Sequence, residues 1–181
     1  MQRPASPGPG PSRTMGGVSD DVLLTRHAER GAAASAEAAK GLPAPPSLHT
    51  LIVTCMDARI DPVALFGIEP GEAHVLRNAG GIVTDDVVRS VTISQRELGT
   101  RTVYVVQHKG CGMGTFTDPE FVAKLQEECG ATPDWAPGAF SDAFESVRQG
   151  VARLVDSPFT LPEMRVKGFV LDLETFALEP A

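Results

Sequence analysis

The chain has 181 residues, 42% hydrophobic and 22% charged, the size and composition of one globular domain. Its 16 Lys+Arg against 23 Asp+Glu leave a formal charge of −7, which argues against nucleic acid or an anionic membrane as main partner, because both select a basic face. No apolar run approaches the roughly 18 residues of a membrane span and no apolar h-region follows Met1, so a cytoplasmic protein is expected, in which Cys55, Cys111 and Cys129 stay thiols available to metal or catalysis.

Residues 1–17 are dense in Pro and Gly and read as a disordered leader, with Met15 as an alternative start. A single domain over 18–181 follows. Ser19-Asp20-Asp21 signals a helix start, and the helix covers about 20–30, with a possible extension through the Ala-rich stretch to Lys40. Its apolar face is thin, Val22, Leu23 and alanines, so it needs another surface, such as a second subunit. Pro43, Pro45 and Pro46 end it.

A strand–helix alternation comes next. Thr50–Cys55 is short, β-branched and apolar, suited to a strand buried on both faces. Asp61-Pro62 opens a short helix that Gly67 closes. Ala73–Arg77 is a second strand, Asp85–Leu98 a helix closed by Gly99, and Thr102–Val106 a third strand. Thr117-Asp118-Pro119-Glu120 opens a helix either as a capping box or with Asp118 as cap before proline, and Gly130 ends it. Asp142–Val155 repeats apolar residues at helical spacing, and Arg165–Leu171 is a last strand. The alternation predicts an α/β fold, a mainly parallel central sheet flanked by helices.

Two clusters fall at the carboxyl ends of strands, where open α/β sheets bind ligands. The first is Cys55-Met56-Asp57-Ala58-Arg59, the second His108-Lys109-Gly110-Cys111. A lone cysteine at a strand end is most often a packed thiol. Cys55, His108 and Cys111 together form a Cys₂His set suited to Zn²⁺, and three protein ligands leave a fourth position for water, the catalytic pattern. Asp57, two residues past a ligand, is placed to accept a hydrogen bond from that water. Arg59 can hold it through a two-pronged contact.

Cys-x-Asp-x-Arg, with His-x-x-Cys beginning 53 positions after the first Cys, resembles the β-class carbonic anhydrases. Arg77-Asn78-Ala79-Gly80 and Gly110-Cys111-Gly112-Met113 resemble further motifs of that family, and Thr84-Asp85-Asp86-Val87 its short actinobacterial members. The likeness is strong from Leu51 to Phe116 and looser through Gly168–Asp172. It implies a β-carbonic-anhydrase-like sheet with an N-terminal dimerising helix, a Zn²⁺ cofactor and a homodimer. It also implies reversible hydration of CO2 to bicarbonate, with Asp57 and Arg59 as catalytic residues. In part of the family the equivalent Asp swings onto the metal, so the resemblance makes Asp57 a closed-state ligand as well. A CS2/COS hydrolase shares the same ligands, and a non-catalytic zinc-binding regulator is the third alternative. The resemblance departs at Gly81, where many relatives carry Asn.

The remaining candidates read as structural. His27, His49 and His74 are expected to be solvated or capping, Cys129 a packed thiol and Lys109 solvated. Trp135 and the phenylalanines are expected in the core or an interface. Gly80-Gly81 supplies either a turn with positive φ or a close backbone approach to substrate.

Overall fold

The structure, a computed structural model, describes residues 21–181. The leader and the Ser19-Asp20 start signal lie outside the described residues. The chain divides after Lys40 into two units. In the first, helix α1 (Asp21–Arg26) passes through a π turn over His27–Gly31 into α2 (Ala32–Ala38). That matches the helical reading of the Ala-rich stretch. Val22, Leu23 and Leu24 are exposed.

The second unit carries the sheet. Strands β1 (Thr50–Cys55), β2 (Ala73–Asn78), β3 (Thr102–His108), β4 (Arg165–Leu171) and β5 (Leu178–Pro180) stand in the order β2-β1-β3-β4-β5. The first four are parallel, and β5 runs antiparallel to β4. The sequence reading lacked β5, because three residues ending in proline carry no strand periodicity. After β1 the chain crosses to one side for β2, then returns to the other side for β3. The crevice between the carboxyl ends of β1 and β3 is therefore the topological switch point of the sheet.

Each sheet face has its own core. Leu51 and Val53 of β1 and Val103 and Val105 of β3 face Val87 and Val91 of α4 (Asp85–Leu98) and Val147 and Leu154 of α6 (Ala143–Val155). Ile52, Val106 and Leu171 face the other way, toward Leu65 and Phe66 of α3 (Pro62–Phe66) and toward Cys55, Cys111 and Met113. Each fully buried branched aliphatic contributes about 1.5–3 kcal/mol. The metal-type donors thus sit at the rim of an apolar core, which keeps water out of their surroundings.

Helix ends follow the expected chemistry. Asp61 caps α3 and Gly67 closes it at φ 59. Thr84 caps α4, and Asp142 caps α6. At α5 (Asp118–Cys129) the capping box prevails, Thr117 being the cap and Glu120 its reciprocal partner. Asp118 is thereby freed to accept from the backbone N–H groups of Gly138 and Ala139, at 3.2 and 2.7 Å.

Candidate metal centre

Cys55 is the last residue of β1 and His108 the last of β3, so adjacent parallel strands deliver both side chains to one place. Gly110, at φ 63, turns the chain back and brings Cys111 to the same point. The donor atoms of Cys55, His108 and Cys111 all lie within 4.8 Å of one another, and the two sulfurs are 3.9 Å apart. All three residues are buried.

The imidazole is oriented for ligation. His108 Nδ1 lies 3.0 Å from the Lys109 carbonyl oxygen. A carbonyl only accepts, so Nδ1 carries the proton and Nε2 keeps its lone pair. Nε2 is buried with no hydrogen-bond partner, a costly state that a metal ion relieves. The neighbouring Cys55 sulfur raises the His108 pKa. Within the thiol pair, Cys55 is lowered, chiefly because the Cys111 thiol donates to it, and Cys111 is raised by the same contact and by burial. Without a metal the pair therefore shares one proton. Backbone N–H groups of Asp57 and Gly80 also stabilise the Cys55 thiolate, and that of Met113 the Cys111 thiolate. Two thiolates and an imidazole in a buried pocket are the donor set that Zn²⁺ favours.

Asp57 stands beside these donors. Its Oδ1 accepts from Arg59 Nε at 2.9 Å and from the Arg59 backbone N–H at 3.0 Å, and its Oδ2 from Arg59 Nη2 at 2.7 Å. The Arg59 guanidinium holds the carboxyl well below the usual carboxylate range. Oδ2 also lies 3.8 Å from His108 Nε2. A cavity of ≈ 500 Å³ opens in front of the group, lined by Cys55, Asp57, Gly80, Cys111, Met113 and Phe116.

Two supporting residues escaped any assigned role in the sequence reading. Arg77 donates from Nε to the Cys55 carbonyl at 3.0 Å and from Nη2 to the Asp57 carbonyl at 2.7 Å, bracketing the turn that carries both side chains. Asn78 binds both backbone groups of Ile82, at 3.0 and 2.8 Å, and so closes the 79–81 turn. No sequence signal marks Arg77: its role appears only once the β1–β2 register pairs it with Thr54, one residue before Cys55. In that turn Gly80 and Gly81 have φ 81 and 63. A Cβ on Gly81 would lie 2.8 Å from Cys55 N and 2.9 Å from Val106 O. The glycine pair therefore serves both the turn and a close approach, here to the backbone of the strands that carry Cys55 and His108.

Other candidates fall elsewhere. His27 is exposed. His49 Nδ1 donates to the Gly99 carbonyl at 3.0 Å. His74, near the amino end of β2, pairs with Ser94 Oγ at 2.8 Å. Cys129 is exposed rather than packed, because it ends a helix with no buried residue. Trp135 is exposed, outside the core, whereas Phe66, Phe116, Phe140 and Phe169 pack against it. Lys109 is paired rather than solvated, with Asp172 and Glu179.

Comparison with known proteins agrees with this geometry. Residues 50–167 match the family model described as carbonic anhydrase. The chain is 52% identical over 134 residues to beta-carbonic anhydrase 1 of Mycobacterium tuberculosis, covering 74% of this chain and 82% of that protein. It is 35% identical over 152 residues to a carbon disulfide hydrolase of Acidianus, covering 70% of this chain and 74% of that protein. Among solved structures, a carbonic anhydrase from Streptococcus mutans superposes with a TM-score of 0.82 at 35% identity, over 92% of this chain and 99% of that one.

Proposed function

Because the chain belongs to the β-carbonic anhydrase family, we propose that it holds Zn²⁺ through Cys55, His108 and Cys111 and catalyses the reversible hydration of CO2 to bicarbonate and a proton. The observation that carries this reading is the convergence of three buried donors within 4.8 Å beside a carboxylate that Arg59 grips at two points. When bound, Zn²⁺ supplies the Lewis acidity that brings the ionisation of water to about pH 7.

The chain's own residues do the rest. Asp57 is kept ionised by Arg59 and offers a fixed acceptor that orients the attacking water. Arg77 holds the Cys55–Asp57 turn by its carbonyls, so donor and acceptor keep one relative position. Met113 and Phe116 in the cavity wall accept a small apolar substrate and exclude excess water. A regulatory zinc site without turnover has no need of the Asp57–Arg59 pair.

Substrate choice within the family follows from the same comparison. The Mycobacterium tuberculosis relative shares 52% identity and the Acidianus carbon disulfide hydrolase 35%, which favours CO2 over CS2 or COS. Stopped-flow CO2 hydration, run beside CS2 and COS hydrolysis and metal analysis, tests this. CO2 turnover with about one zinc per chain is expected. Hydrolysis of CS2 or COS without CO2 hydration would overturn the substrate, and a pure, active chain without zinc would overturn the site.

The proposed assembly is a homodimer. The exposed Val22, Leu23 and Leu24 support it, since a thinly apolar helix is marginal alone. Light scattering on the full chain and on a chain lacking residues 1–40 should read dimer and monomer. No helix among the described residues is long and apolar enough to cross a membrane, and a cytoplasmic location is part of the proposal.

A further inference from the structure

Lys109 lies between two of the three donors, and its own bonds lead away from them. Its backbone N–H donates to the Leu171 carbonyl at 3.0 Å. Its Nζ donates to Asp172 Oδ2 at 3.0 Å and to Glu179 Oε1 at 2.5 Å. Asp172 is itself fixed, because Oδ1 accepts from the backbone N–H groups of Glu174 and Thr175 at 2.9 and 3.2 Å. Glu179 sits on β5, paired with Val170 of β4. The residue whose carbonyl receives His108 Nδ1–H is thus tied to the β4–β5 hairpin through both its backbone N–H and its side chain. The chain after it gives no such support, since Gly110 follows with φ 63 and glycine is the least restricted residue.

We propose that the Lys109–Asp172–Glu179 cluster is a positioning device for the His108 imidazole: by holding the Lys109 carbonyl in place it fixes which ring nitrogen carries the proton, aims Nε2 at the metal and sets how long the metal is retained. The inference rests on Cys55, His108 and Cys111 being metal ligands. If the carbonyl drifts, the ring loses its acceptor. It then rotates, which turns the Nε2 lone pair away from the metal, or moves its proton to Nε2, which occupies that lone pair. The cluster members are not core-filling. The side chains of Lys109 and Glu179 are 44% and 43% exposed, so truncating them opens no cavity.

Metal release from the zinc-loaded protein into excess chromogenic chelator tests the device, with the d–d absorption of the cobalt-loaded protein as a second readout. Lys109→Met and Glu179→Gln should each speed release about five- to tenfold, the low end for partners behind a ligand, and should broaden the cobalt bands. Lys109→Arg, which keeps the cation, should restore slow release. The two breaking variants change net charge in opposite senses. If Lys109 acted only through its field, Lys109→Met would make the site more negative and slow release, while Glu179→Gln would speed it. Acceleration by both therefore supports the clamp, and opposite changes overturn it. Wild-type release rates in both overturn it too.

Arg153→Met, which breaks the surface pair between Arg153 and Asp85, is the control for general destabilisation. Equal acceleration there would also overturn the proposal. Should Lys109→Met fail to fold because it leaves Asp172 and Glu179 without their cation, the charge-conserving Lys109→Met/Glu179→Met takes its place: fast release there supports the clamp, and slow release overturns it. A wild-type chain that binds no metal would instead overturn the ligand assignment itself.

Discussion

Arg59 closes on Asp57 from two residues away through two near-parallel bonds, Nε to Oδ1 at 2.9 Å and Nη2 to Oδ2 at 2.7 Å. The contact is lopsided in exposure: the Asp57 side chain is 17% exposed and Arg59 62%. A residue largely in solvent therefore sets the direction of a largely buried carboxylate. The same carboxylate is 3.8 Å from His108 Nε2 and could itself ligate the metal if released. The two-pronged grip fixes the direction of both carboxylate oxygens, and under the proposed function it would also keep Asp57 off the metal.

Removing the grip should silence the centre without emptying it. In Arg59→Ala, zinc content should stay near wild type while CO2 turnover falls at least about a hundredfold, the scale of a misplaced reacting group. Arg59→Lys should recover little, because an ammonium cannot match both oxygens. Loss of Arg59 lets the Asp57 pKa rise toward the ordinary carboxylate range, still far below neutrality. Asp57 stays ionised from pH 6 to 9 in both proteins, so the height of the rate–pH curve should collapse, and its midpoint should move upward as the freed carboxylate competes with hydroxide for the metal. Wild-type rates in Arg59→Ala would disprove the dyad.

Thiol reactivity gives an independent count of ligands. Cys129 is exposed, and Cys55 and Cys111 are buried. Metal-loaded native protein should titrate with one fast thiol. After chelation the pair shares one proton, with Cys55 the partner whose pKa is lowered, so up to two further thiols should react, the first faster than an ordinary cysteine. Cys129→Ser should remove the fast thiol and leave zinc content unchanged. Three fast thiols in the loaded protein would mean that Cys55 and Cys111 bind nothing.

Gly81→Ala should destabilise the protein by at least about 2 kcal/mol, since strained φ and backbone overlap act together. The added Cβ would meet Cys55 N at 2.8 Å and Thr54 C at 2.9 Å. These are backbone atoms of the ligand strand and cannot swing aside. Zinc retention should fall with stability, because the atoms that must move carry Cys55. A urea midpoint equal to wild type would show that the turn relaxes freely. The same contacts explain why Asn cannot simply replace Gly81 in this backbone.

The Cys55, His108 and Cys111 donor cluster and the Asp57–Arg59 pair were legible because they sit in contiguous motifs at strand ends, and strands announce themselves by short β-branched runs such as Thr50–Cys55. Helix limits were legible where a cap and a left-handed glycine bracket them, as Asp61 and Gly67 do around α3. The support was not legible. Lys109 meets Asp172 and Glu179 across 63 and 70 positions, and no local pattern encodes a contact that exists only after β4 and β5 are laid down. Arg77 reads as an ordinary polar residue near a strand end until the β1–β2 register pairs it with Thr54, next to Cys55. Cys129 misled because free cysteine is usually buried, whereas the helix it ends has no fully buried residue and Cys129 lies off its half-buried Phe121, Val122 and Leu125.

The capping box of α5 predicts how the protein responds to acid. Glu120 Oε2 accepts from the Thr117 backbone N–H and from Thr117 Oγ1, both at 2.8 Å. These bonds hold the Glu120 carboxyl below its ordinary range, and the helix N-terminus favours its charge in the same sense. A carboxyl lowered in the folded state contributes stability that is complete above its unfolded pKa, about 4.3. That contribution is lost as pH falls through the folded value. Glu120→Gln keeps an acceptor for the Thr117 N–H but has no charge to lose. Wild type should therefore be the more stable of the two at pH 5–7. The gap between their urea midpoints should be full above about pH 4.3 and narrow as pH falls below it and the Glu120 carboxyl takes up its proton. Acid release of metal and titration of Asp57 and Asp172 are common to both proteins and cancel in the difference. A gap that stays constant with pH would show that the Glu120 charge does not stabilise this helix end.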